Sequence, residues 1–214
     1  MILQTVDTLS SLVLLSILFA FGSSRIPVLI NVIAFQGLVV SVVPFFIGHQ
    51  MTTGSMIFTI VTLVIRGILI PLSIHIAIKK VAIQRDVSPI IGYHASLFCG
   101  LGLIVAATII SRQLNISSIS ESHLVFPTAI SLLVTGMFLL MARRNAIAMI
   151  AGYIMLENGI YLMGTTFSVR VRHVVEFGIL LDVLAGVMIM AIILQNIKQT
   201  FDDVDTTHLR TLKE

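Results

Sequence analysis

Charge is scarce in this chain, and so are the residues that build a catalytic or metal centre. Only 11% of its 214 residues are charged, tryptophan is absent, and cysteine occurs once, as Cys99 in an apolar run. One cysteine makes no disulfide within the chain. One thiolate cannot hold an iron–sulfur cluster or a structural zinc, so any redox metal belongs to another subunit. His49, His123, His173 and His208 stand at segment boundaries or in the tail with no ligand spacing between them. No glycine-rich loop that would cradle a phosphate is found, and no nucleophile beside a base. The sequence therefore predicts no metal site and no cofactor in this chain. A formal charge of +3 spread over few ionised groups gives no ground for nucleic-acid binding. No basic region precedes the first apolar run, which carries Asp7, so that run reads as a retained span rather than a removed signal peptide.

What the chain has in abundance is hydrocarbon. It is 57% hydrophobic with a mean hydropathy of +1.07, outside the balance of a soluble domain. Its partner by composition is the lipid bilayer. The expected fold is all-α: a polytopic integral membrane protein of about seven transmembrane helices, at 2–22, 26–47, 55–78, 90–110, 123–142, 145–167 and 174–197. Pro44 and Pro71 fall inside spans and mark kinks, because each removes a backbone hydrogen bond. With seven spans, one side receives nine basic residues (Arg25, Lys79, Lys80, Arg85, Arg143, Arg144, Lys198, Arg210, Lys213) and the other three (Arg112, Arg170, Arg172). The richer side is the cytoplasmic one, which places the amino terminus outside and the carboxyl terminus in the cytoplasm of a prokaryotic inner membrane.

Aligning 30–46 with 151–167 sets Gln36 opposite Glu157 and hints at a parallel duplication in a 3+1+3 arrangement. The units would be residues 1–84, a linking fourth helix at 85–120, a second three-helix unit at 121–198 and a cytoplasmic tail at 199–214.

Against this apolar background a few polar residues stand out. Glu157, Asp182, Arg66 and Gln36 lie about 18, 12, 17 and 15 Å from the starts of their spans at 1.5 Å per residue, near the midplane of a ~30 Å core. An ionised group at that depth costs at least ~2.5–3.5 kcal/mol, so it usually has a use. Glu157 has Tyr153 and Tyr161 four residues to either side on its own face, offering phenolic hydroxyls. Without a cation, such a glutamate can exchange a proton near neutral pH. The plainer alternative is a structural glutamate paired with a lysine of a neighbouring chain. Asp182 has Gly178, Ala185 and Gly186 on its face, which lets another helix approach closely; helix–helix glue is its plainer role. An arginine keeps its proton, so Arg66 would bias a path rather than relay along it, or form a salt bridge to another subunit. His75 and His94 are further candidates, and His75 could extend a polar file with Arg66 and the acids, although a packing histidine is more common.

At GYIMLENGIYL, followed by VEFGILLDVLAGVMIMAIILQNI and DVDTTHLRTLKE, the chain resembles component E of the hydrogenase-4 type formate hydrogenlyases. Its last three helices in turn resemble the small NuoK-type subunit of respiratory complex I and, more distantly, the C subunit of Mrp cation/proton antiporters. By that resemblance Glu157 and Asp182 match the two intramembrane glutamates of the small subunit. The second is Asp here, and Arg66 stands where a lysine is expected. The resemblance implies a non-catalytic membrane-arm subunit of an energy-converting hydrogenase-type, complex I-related assembly, in which Glu157 and Asp182 pass protons or sodium. It implies antiporter-like and quinone-reductase-anchor-like membrane partners, with peripheral nickel–iron and iron–sulfur subunits beyond them. Subunits of an Mrp-type antiporter and a non-conducting structural subunit are the alternatives.

Overall fold

Apolar runs fold as helices in hydrocarbon because each backbone N–H then finds a carbonyl within its own run. The computed structural model describes residues 2–23, 25–47, 53–81, 92–113, 122–143, 146–167 and 186. Among them the regular structure is helical and contains no strands: α1 (Ile2–Gly22), α2 (Ile26–Ile47), α3 (Thr53–Val64), a π-helical segment (Ile65–Leu69), α4 (Ile70–Val81), α5 (Tyr93–Gln113), α6 (Val125–Ala142) and α7 (Ala146–Phe167). Among the described residues, six helices are long and apolar enough to cross a membrane, counting α3, the π segment and α4 as one span. The chain is an all-α membrane protein. The seventh expected span, Asp182 included, lies outside the described residues apart from residue 186, as do the tail at 199–214 and the seams between the expected units.

The tightest seam joins α6 to α7. A methyl group on Gly136 would lie 2.6 Å from the Leu156 backbone nitrogen; on Gly152, 2.8 Å from that of Leu140; on Gly159, 2.7 Å from that of Leu133. Only hydrogen fits at these positions, so the two backbones touch along three turns. That is how helices gain packing contact in lipid, where apolar burial supplies little drive. Leu132, Leu139, Met155 and Leu162 fill the same seam and are fully buried.

α1 lies against α2, α5 and α6, and α2 also packs on α7. Two contacts define the course of α1 beside α6. Ser122 Oγ, just before α6, donates to Asp7 Oδ1 at 2.7 Å, and Arg143 Nη2, just after α6, donates to the Phe21 carbonyl at 3.4 Å. Start meets start and end meets end, so α1 and α6 run parallel. The outer faces of α3–α4 and α5 expose Ile60, Ile68, Leu69, Phe98 and Ile109, an apolar coat suited to lipid or to neighbouring subunits.

The third span is the one that departs from a simple helix. The Ile70 N–H donates to the Ile65 carbonyl, five residues back, which widens the turn. Pro71 follows at once. In an α-helix its ring would crowd the carbonyl four residues earlier, and the wider turn relieves that crowding. The kink expected at Pro71 is thus a π turn just before it, and that turn contains Arg66.

Replacing Gly136 or Gly152 by valine is expected to force α6 from α7 and destabilise the protein by about 1–3 kcal/mol. Gly102→Ala, with open space around its α-carbon, is the matched control. Thermal unfolding of the detergent-solubilised variants checks this; equal melting of all three would contradict the seam.

Candidate functional site

Arg66 and Glu157 meet in the interior. Arg66 Nη2 lies 2.9 Å from Glu157 Oε1, and the two side chains are 2% and 1% exposed. Arg66 Nη1 donates to Asn158 Oδ1 at 3.0 Å. The guanidinium carbon stands 4.5 Å from the centre of the Tyr161 ring, within range of a cation–π attraction. One cation is thereby held by a carboxylate, an amide and an aromatic face, all from two turns of α7.

Local sequence explains how the side chain arrives there. The third span approaches α7 across α2, and α2 presents Gly37 at the crossing. A methyl there would lie 2.9 Å from the Arg66 carbonyl oxygen and 3.4 Å from the Arg66 Cβ. The hydrogen of Gly37 lets the π segment sit on α2, and from that position the long arginine side chain reaches α7. On the α7 side, Gly159 keeps α6 close, so Asn158 and Glu157 have no exposed route for their own side chains and are 0% and 1% exposed.

The other sequence candidates fall in different places. Gln36 is fully buried, but its amide Nε2 donates to Ser16 Oγ on α1 at 2.9 Å, so it joins α1 to α2 next to the cluster. Tyr153 is half-buried one turn before Glu157. Tyr161 meets the cluster through its ring face. His75 lies on the outward face of α4 with Leu72 and Ile76, whereas Arg66, Ile70 and Ile74 face inward. It is therefore turned away from a file through Arg66, and His94 is exposed on α5. Asp182 lies outside the described residues.

The sequence leaves open whether Arg66 pairs within this chain, and the structure pairs it with Glu157. The physical reason is the Gly37 crossing, which brings a residue of the third span to one of the sixth. Asn158 and Ser16 were missed as site residues. Asn158 stood beside Glu157 in the most distinctive motif; its signal was a second polar residue at mid-depth in an apolar run. Ser16 carried no clear signal, because a serine in a span can satisfy itself on its own helix, as Ser16 does on the Val13 carbonyl. Among the described residues, no group of three or more His, Cys, Asp or Glu side chains could hold a metal ion.

Known proteins give a two-part comparison. The chain is similar along nearly its whole length to an uncharacterized protein, Rv0085, of Mycobacterium tuberculosis: 26% identical over 205 residues, 95% of this chain and 93% of that protein. It is also similar to hydrogenase-4 component E of Escherichia coli K12 and of Shigella flexneri, 31% identical over 78 residues. That second likeness spans 36% of this chain and 36% of component E. No family model matches the chain, and no solved structure does.

Removing one partner of a buried ion pair is far costlier than removing both. Arg66→Met and Glu157→Leu are each expected to destabilise by about 3–5 kcal/mol, and the double variant by less than the sum of the two. Thermal unfolding of the four proteins measures the coupling. Strict additivity would mean the pair carries no interaction energy.

Proposed function

We propose that this chain is a non-catalytic membrane subunit of a hydrogenase-related, energy-converting complex of the hydrogenase-4 type, and that Glu157 carries protons within it. The observation that carries this reading is the Arg66–Glu157 ion pair near the middle of two spans. A buried pair in hydrocarbon is poor evidence of stability, because the cost of dehydrating two charges offsets most of their attraction. Charged groups at that depth mark ion pathways far more often than simple glue. The partial likeness to hydrogenase-4 component E supports the type of complex.

The geometry supports a specific sequence of events. A proton reaching Glu157 cancels the carboxylate charge and with it the attraction to Arg66. Arg66 then still has Asn158 Oδ1 and the Tyr161 ring, two neutral partners that need no change of charge to hold it. The cation thus stays in place while the acid loads and unloads its proton. Asp182, in the seventh expected span, is the proposed next station. Antiporter-like and quinone-reductase-anchor-like membrane subunits, with peripheral nickel–iron and iron–sulfur subunits, are the proposed partners. The inner membrane, with the carboxyl terminus on the cytoplasmic side, is the proposed setting.

The same 2.9 Å contact favours one other reading, a structural pair that only fastens the third span to the sixth. Glu157→Gln separates the two. In an assembled complex, proton translocation is expected to fall by about tenfold or more, the equivalent of ~1.4 kcal/mol on the limiting step. Measured as acidification in inverted vesicles, an unchanged rate with normal assembly on a native gel would leave only the structural role.

A further inference from the structure

Three of the buried side-chain atoms that lack a hydrogen-bond partner among the described residues are Ser10 Oγ on α1, Gln36 Oε1 on α2 and Asn158 Nδ2 on α7. Their residues are 1%, 0% and 0% exposed. Buried polar atoms in folded proteins are nearly always hydrogen-bonded, to protein or to ordered water.

These atoms belong to one descending series of polar groups. It starts at the end of the bundle where α1 and α6 begin, with the half-buried Asp7 accepting from Ser122 at 2.7 Å. Ser10 is three residues further along α1. Ser16 follows after ~9 Å of helix rise, at 1.5 Å per residue. Both serines lie on the buried side of α1. Ser16 Oγ receives the Gln36 amide, and Gln36 precedes Gly37, on which the Arg66 carbonyl rests. Arg66 completes the series by reaching Glu157 and Asn158.

The chemistry of the three atoms identifies their ligand. Gln36 Oε1 can only accept and Asn158 Nδ2 can only donate, whereas Ser10 Oγ can do both. Water meets all three demands. A bare cation does not, since the Asn158 N–H would point its positive end at it.

We propose that Ser10, Ser16, Gln36 and Asn158 bind a file of internal water that connects the Asp7–Ser122 end of the bundle to Glu157 and forms a proton half-path. The inference rests on the proton-carrying reading of Glu157, but water entry can be measured without it.

The test uses membranes that contain the assembled complex, with Cys99, which is exposed, first replaced by serine. Ser10→Cys and Ser16→Cys are then compared with Val40→Cys, a fully buried apolar position. A small water-soluble thiosulfonate reacts with a thiolate only where water reaches it, so the two serine positions are expected to label about tenfold faster than the control. Labelling no faster than at Val40 overturns the water file. In a second arm, Gln36→Leu and Ser16→Ala are expected to slow proton translocation in complexes that assemble normally, with Gln36→Leu approaching the loss expected for Glu157→Gln. If Glu157→Gln is slow while Gln36→Leu and Ser16→Ala run at the full rate, the route is wrong and the role of Glu157 stands. If all three run at the full rate, the proposed function falls with the route.

Discussion

A guanidinium and a carboxylate placed at mid-depth in hydrocarbon can hardly exist apart, and much of the architecture can be understood as keeping them together. Dehydrating either one alone is costly; held 2.9 Å apart, with an amide and an aromatic face alongside, they offset most of that cost. The pairing joins spans that are far apart in the chain, with α2 between them. It therefore makes the packing of the third span on α2 and of α2 on α7 conditions of a single contact. Gly37 is the hinge of that arrangement in the steric sense. Any larger residue there would push the Arg66 backbone away from α2.

The α6–α7 seam provides the rigid wall against which this contact forms. Three glycines bring the backbones together, and the hydroxyls of Thr128 and Ser131 bond to carbonyls of their own helix, four residues earlier. The interior of the bundle is consequently polar in places, with the Arg66–Glu157 pair at mid-depth and Arg143 buried at the end of α6. The outer faces of α3–α4 and α5 are mainly apolar, with His75, His94, Cys99, Arg112 and Gln113 as exposed exceptions, a coat suited to lipid or to neighbouring subunits.

Similarity to Rv0085 covers nearly all of both chains, whereas similarity to hydrogenase-4 component E covers about a third of each. The first likeness concerns overall organisation. The second concerns a restricted stretch, and so the proposed function depends on the chemistry of the Arg66–Glu157 cluster rather than on kinship. That cluster combines a carboxyl group, a guanidinium and two neutral groups that also hold the guanidinium, and the proposal draws on that combination.

Hydropathy and spacing were enough to determine the helical membrane class, the six described spans to within a few residues and the unusual standing of Arg66 and Glu157, because each of these depends on local composition measured against the thickness of a bilayer. The third span's break was only half legible: Pro71 announced a distortion, but not that it would take the form of a π turn around Arg66. Which polar groups meet was decided by tertiary structure alone. His75 and Arg66 share a span and part company, while Gln36, which composition placed with the acids, turns its amide to Ser16. Depth along a helix axis is written in the sequence at 1.5 Å per residue. The rotation of each helix about that axis depends on where glycines let backbones touch, and those contacts join residues that are distant in the chain.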